Sequence, residues 1–206
     1  MPSDVAPEPA SRPRCAACAL PLATCLCALV VRVDNRVPLL VLQHPREARE
    51  AKGSARLLAR CLAQCRVVVG EEFDDATLAP LLHGGGRHSV LLYPPDDGAA
   101  GMIVDADAVR DDASLQLVAI DATWRKSLRL LRAHPMLAAL PRITLPPGEA
   151  SRYAALRKAR RPGQLSTLEA SCGALALLER SPARYVPVLD AFERFVADRV
   201  ARAARP

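Results

Sequence analysis

Five short apolar runs recur along the chain: PLLVLQ at 38–43, RVVVG at 66–70, SVLLYP at 89–94, LQLVAID at 115–121 and RITLP at 142–146. They are rich in valine and leucine and lack a polar alternation, the pattern of strands buried on both faces. Between them lie stretches with helical character. Residues 44–64 are mostly helical, 74–82 form a helix that Asp74 or Asp75 can cap, and 124–140 form one that kinks or splits near Pro135. Further helices are predicted at 166–180 and 185–204, a short helix or loop at 105–112, and loops at 83–88 (HGGGRH) and 151–164. Strand and helix in alternation predict an α/β fold: a mostly parallel sheet with helices on both faces. No internal repeat or coiled-coil pattern is present.

A different constraint stands near the N-terminus. In CAACALPLATCLC, four of the seven cysteines fall within residues 15–27. Cys15, Cys18, Cys25 and Cys27 can supply four thiolates to one tetrahedral zinc, with Pro21 helping to turn the connecting loop. A closed four-thiolate site leaves no open position for chemistry, so the role is structural; an iron–sulfur group satisfies the same spacing. The stretch before it, MPSDVAPEPASRPR, is Pro- and Ser-rich and lacks the charged-then-apolar order of a signal peptide. Residues 1–13 are therefore expected to be a disordered leader and 14–30 a zinc knuckle, with one larger domain over 31–206. No run of eighteen apolar residues exists, which excludes a membrane-spanning helix. A chain that is not secreted sits in the reducing cytoplasm, where clustered cysteines mean metal before disulfide. Leu58, Cys61, Leu62 and Cys65 follow helical spacing and read as one buried helix face, and Cys172 reads as core.

The charge balance is +6, from 28 Lys and Arg against 22 Asp and Glu, and arginine dominates. Arginine's planar fork suits phosphate recognition; a GC-rich genome explains the same bias. In parallel sheets, ligands sit beyond the carboxyl ends of the strands. Three segments lie there: QHP at 43–45, YPPDDG at 93–98 and AIDATWRK at 119–126. Asp121 can accept a proton, hold a ligand's polar group, or cap the next helix. Trp124, the single tryptophan, is either a core anchor or a stacking surface for a base. In LSTLEA at 165–170, Ser166 and Glu169 form a capping box, and the same helix start can receive a carboxylate or phosphate. Arg157, Lys158, Arg160 and Arg161 stand just before it and point to an anionic partner.

Asp121-Ala122-Thr123-Trp124 resembles the signature of the DTW-domain family. The other marks follow in order: the cysteine cluster, QHPRE after the first strand, LLYP at 91–94 and RKARRPGQLSTLEA at 157–170. The resemblance covers roughly residues 14 to 200. One departure is Gly53-Ser54, where the family carries an Asn-Thr pair. The resemblance implies a SPOUT-like fold with a trefoil knot. It also implies a cytoplasmic tRNA-uridine aminocarboxypropyltransferase, which moves the 3-amino-3-carboxypropyl group of S-adenosylmethionine to uridine N3 and releases methylthioadenosine. On that pattern Asp121, Thr123 and Trp124 stand at the reaction centre, with Asp121 as general base or as the group that orients the uracil edge. Leu92, Tyr93, Pro94, Leu145, Pro146, Leu165, Ser166, Thr167 and Glu169 are the expected cofactor cradle. Arg46, Arg49, Arg56, Arg125 and Lys126 join the 157–161 cluster as the expected tRNA-phosphate face, with a solvated helix face as the alternative for the arginines of 46–56. His44 either lines the site or simply ends its strand. The expected partner is tRNA, not DNA or a membrane, and the expected state a monomer. Methyl transfer to RNA, and RNA binding through the zinc knuckle without catalysis, are the competing readings.

Overall fold

Each of the five apolar runs forms a strand. The computed structural model describes residues 13–50, 52–94, 102–146 and 165–204. In it β1 is Leu39–Gln43, β2 Cys65–Val69, β3 His88–Leu92, β4 Leu115–Asp121 and β5 Arg142–Ile143. They form one sheet in the order β2-β1-β4-β3-β5, and every pairing is parallel. β1 and β4 lie inside the sheet and are buried along almost their whole length. That burial is why their apolar runs are unbroken.

Eight α-helices are described: α1 Pro45–Arg49, α2 Ala55–Cys61, α3 Asp75–His83, α4 Ala106–Val109, α5 Trp124–Ala133, α6 Pro135–Ala138, α7 Thr167–Leu178 and α8 Pro182–Ala203. Successive strand residues point to opposite faces. Leu39, Val41 and Leu117 therefore join a core with Leu58 of α2, Leu175 of α7 and Phe192 of α8. Leu40, Leu42 and Val118 face the other way, onto Leu78 of α3, Leu131 of α5 and Leu137 of α6. Helices cover both faces, as the alternation predicts.

The helix expected over 44–64 is two helices. The chain leaves helical geometry at Glu50 and returns at Ala55. Gly53 sits so close to the end of α1 that a Cβ there would meet the Glu47 carbonyl at 3.1 Å and the Glu50 carbonyl at 3.2 Å. The Arg56 guanidinium then donates to the Ala48 carbonyl at 2.9 Å and ties α2 to α1. The break also corrects the cysteine assignment. Cys61 ends α2 and is fully buried, whereas Cys65 opens β2 and is partly buried. Burial pushes the Cys65 thiol up to about 12 and raises Cys61 and Cys172 as well, so all three behave as inert core groups.

The helix expected at 124–140 splits at His134, which takes an extended conformation before Pro135. Of Asp74 and Asp75, it is Asp74 that caps α3, accepting from the Thr77 N–H at 2.6 Å. α8 begins at Pro182, three residues before its expected start, because proline is favoured at a first helical position. Only Arg142 and Ile143 of the fifth run pair as strand. The expected leader lies outside the described residues apart from Pro13, as does 151–164. Among the described residues, no helix is long and apolar enough to cross a membrane.

Candidate functional site

The sheet's carboxyl edge converges on Asp121. It is the last residue of β4, stands in register with Gln43 at the end of β1, and is 8% exposed. Its Oδ2 accepts from Gln43 Nε2 at 2.7 Å and its Oδ1 from Thr167 Oγ1 at 2.6 Å. Its carbonyl accepts from the His44 N–H at 3.0 Å. Three segments far apart in sequence thus meet on one carboxylate. The helix-capping alternative is removed: the N-cap of α5 is Thr123, whose side chain makes no capping bond.

Trp124 opens α5 and is half-buried. Its ring stacks on Tyr93, with centroids 5.3 Å apart and planes at 18°. Tyr93 is buried just past the end of β3, and its hydroxyl lies 3.0 Å from Ser127 Oγ. Ser127 in turn donates to the Trp124 carbonyl at 2.9 Å. On the sheet side, the Arg142 guanidinium lies 5.4 Å from the Tyr93 ring centre, a distance at which a cation is attracted to the ring. Trp124 is therefore held, half-buried, in a ring stack at the start of α5 and packs against the core on that face of the sheet. In the sequence, Gln43, Ser127 and Arg142 stand out only as members of a strand end, a helix and a strand. The available signals were a glutamine closing an otherwise apolar strand and an arginine opening one.

The residues expected to cradle a cofactor lie at the same end of the sheet. Leu92, Leu145 and Leu165 are half-buried, and Pro94 and Pro146 are exposed. The loop after β5 comes close onto α7: a Cβ on Gly173 would stand 3.4 Å from both Leu145 methyl carbons. Ser166 caps α7 through the complete capping box. Its Oγ accepts from the Glu169 N–H at 3.2 Å, and the Glu169 carboxylate accepts from the Ser166 N–H at 2.8 Å. This cap sets the direction of Thr167, which reaches Asp121. Ser166→Ala is expected to cost about 1 kcal/mol, a fall in Tm of roughly 2–4 °C for a chain of this size. Thermal unfolding by circular dichroism checks it.

Of the cations expected to face phosphate, Arg46 and Arg49 are exposed on α1 and Arg125 is exposed in the first turn of α5. Lys126 is half-buried, its Nζ 3.4 Å from His44 Nδ1. Arg56 is half-buried and donates to the Ala48 carbonyl. Arg157, Lys158, Arg160 and Arg161 lie outside the described residues.

At the far N-terminal side, the sulfurs of Cys15, Cys18, Cys25 and Cys27 all lie within 4.8 Å of one another. Cys15–Cys27 and Cys18–Cys25 are each 3.7 Å apart. A tetrahedron with Zn–S bonds of about 2.3 Å requires sulfurs about 3.8 Å apart, so the cluster has the dimensions of a metal site. Burial opposes ionisation of Cys18, but backbone bonds to it from Leu26 and Leu20, then the neighbouring thiols, draw it down to about 6. Backbone bonds from Cys18 and Ala17 lower Cys15 as well. Cys15 and Cys18 thus lean toward the thiolate, whereas the neighbouring thiols raise Cys25, and burial and those thiols push Cys27 up to about 12. Cys18, Leu20 and Leu26 belong to the core under α2, α7 and α8. Arg199 of α8 donates to the Thr24 carbonyl at 2.8 Å and Arg60 of α2 to the Ala17 carbonyl at 2.6 Å.

The model of the DTW domain matches residues 12–200 of this chain. The chain belongs to the DTW-domain family. This DTW chain is similar to a curated relative, tRNA-uridine aminocarboxypropyltransferase 2 of Drosophila melanogaster. The two are 30% identical over 185 residues, which is 86% of this chain and 71% of the relative. No solved structure matches the chain. In the DTW fold described here, the three signature residues Asp121, Thr123 and Trp124 lie together where β4 turns into α5.

Proposed function

We propose that the chain is a tRNA-uridine aminocarboxypropyltransferase, moving the 3-amino-3-carboxypropyl group of S-adenosylmethionine to N3 of a tRNA uridine. The observation that carries this reading is the convergence of Gln43, Thr167 and the signature Asp121 at one point of the sheet edge, in a chain of this family. The relative's activity supports the reaction class.

S-adenosylmethionine supplies a carbon made electrophilic by the adjacent sulfonium, a good leaving group. What the chain must add is position and proton handling. Uridine N3 carries a proton that leaves as the N–C bond forms and the C–S bond breaks, with methylthioadenosine departing. Asp121 takes that proton or orients the uracil edge, its direction set by Gln43 Nε2 and Thr167 Oγ1. Trp124, backed by Tyr93, offers an aromatic plane for the base. Tyr93, Leu145 and the α7 start line the cofactor's side, with Ser166 and Thr167 near the methionine carboxylate. Glu169 supports this cradle through the cap it forms.

The strand order, with β5 at one edge and α7 beginning back at β4, supports a SPOUT-like reading. The trefoil knot is part of this proposal, and residues 147–164 lie outside the described residues. We assign zinc to the four thiolates, as a structural ion that fixes residues 14–30 onto the catalytic domain over 31–206. A cytoplasmic monomer acting on tRNA completes the proposal.

The by-product tests it. With tRNA and S-adenosylmethionine, chromatography is expected to reveal methylthioadenosine. S-adenosylhomocysteine would mean methyl transfer instead. Neither product, with tRNA bound and the cofactor not, would make the chain a binding module.

A further inference from the structure

A cleft of about 350 Å³ opens beside His44 and runs along α5, within the roughly 300–1,000 Å³ that ligand clefts span. Its walls carry Arg46 of α1, Arg125, Lys126 and Arg129 of α5, and Glu71 and Glu72 from the turn after β2. The two acids are engaged: Glu72 lies 3.7 Å from Arg129, and Glu71 lies 3.5 Å from His44 Nε2. Arg46, Arg125 and Lys126 have no carboxylate partner among the described residues. The His44 imidazole is set by its neighbours. Nδ1 faces the Arg46 N–H at 3.1 Å and the Lys126 ammonium at 3.4 Å, and Nε2 faces Glu71. Lys126 is thereby held at the imidazole. Arg125 and Lys126 also occupy the first turn of α5, which carries no acid. Cations there oppose the helix dipole, so helix stability does not account for them.

The position of the cleft is as informative as its charge. It lies beyond the ends of β1 and β2, whereas the loops proposed to hold the cofactor follow β3 and β5 on the other side of β4. Asp121, at the end of β4, stands between the two, and the first residue past β1, His44, touches both it and the cleft. The cleft and the loops proposed for the cofactor thus lie on opposite sides of β4 along the sheet edge.

We propose that this cleft seats a backbone phosphate of the RNA next to the uridine presented to Asp121, with Arg46, Arg125 and Lys126 as its ligands. The proposal rests on the functional reading above and adds where the RNA strand lies. Phosphate contacts of this kind fix register and are not sequence-specific.

The test is tRNA binding by fluorescence anisotropy over a salt series, with wild type, Arg125→Gln and Arg46→Gln/Lys126→Gln. Loss of this one phosphate contact is expected to reduce the slope of log affinity against log salt by up to about 0.7–1, most fully in the double variant. Affinity at physiological salt is expected to fall roughly 5–20-fold for the double variant, by a similar factor for different tRNAs, while S-adenosylmethionine binds as in wild type. Unchanged slope and affinity would overturn the cleft assignment. So would a selective loss of S-adenosylmethionine binding, which would make the cleft a carboxylate site for the cofactor. The assay needs no turnover, so the two readings fail separately. Wild type that binds tRNA with the expected slopes but transfers nothing contradicts the proposed reaction alone. Wild type that transfers the group, with variants of unchanged slope, contradicts the cleft alone. Wild type that does not bind tRNA overturns both.

Discussion

Asp121→Asn is expected to lower the single-turnover rate of transfer by about 10²–10⁴-fold, the range that positioned proton transfer contributes. S-adenosylmethionine affinity is expected to stay within a few-fold of wild type. The substitution keeps the shape of the side chain and removes its charge. The Thr167 hydroxyl can rotate to accept from the new amide, and Gln43 can turn its own amide oxygen toward it. The neighbours can therefore re-pair, and the fold is expected to remain. What cannot be replaced is an anion beside the departing N3 proton. Rapid-quench kinetics and calorimetric cofactor titration on the same preparation separate the two effects. A wild-type rate would remove Asp121 as the base. A fall in cofactor affinity that matches the fall in rate would make it a ligand of the cofactor instead.

The second large effect is at the knuckle. Cys15→Ser/Cys18→Ser is expected to abolish stoichiometric zinc and to destabilise the chain by about 3–5 kcal/mol. Apparent zinc affinities of structural sites are larger still, about 10–16 kcal/mol, but here part of the knuckle is held without the ion. Leu20 and Leu26 are buried in the main core, and Arg60 and Arg199 grip the knuckle backbone. At roughly 2–4 °C per kcal/mol, Tm is expected to fall by roughly 10 °C. Transfer per folded molecule should change much less, because the proposed four-thiolate site is closed and structural. Metal analysis together with thermal unfolding checks both halves. Unchanged metal content in the double variant would sink the shared four-thiolate site.

The parallel sheet was legible because it is buried on both faces, and burial leaves unbroken apolar runs in the sequence. LQLVAID maps onto Leu115–Asp121 without a shift. The break between α1 and α2 was not legible. Alanine, arginine and glutamate around Gly53 all favour helix, and what ends it is the close return of the chain onto two carbonyls. Cys65 followed helical spacing by coincidence and belongs to a strand. At the site, Asp121, Trp124 and Thr167 stood out through their segments. Their meeting did not, because parallel neighbours β1 and β4 are distant in sequence and register is a tertiary outcome. Tyr93 was visible as part of LLYP, but its contacts with Trp124, Ser127 and Arg142 arise only when the end of β3, the first turn of α5 and the first residue of β5 converge. The cleft was the least legible feature, since it joins short stretches of α1, α5 and the turn after β2.

The most direct measurement is mass spectrometry of nucleosides from unmodified tRNA incubated with the purified chain and S-adenosylmethionine. The account predicts a uridine heavier by one aminocarboxypropyl group, formed by wild type and strongly reduced with Asp121→Asn. A uridine heavier by one methyl group, or tRNA that binds the chain and returns unmodified from every isoacceptor tried, would contradict it.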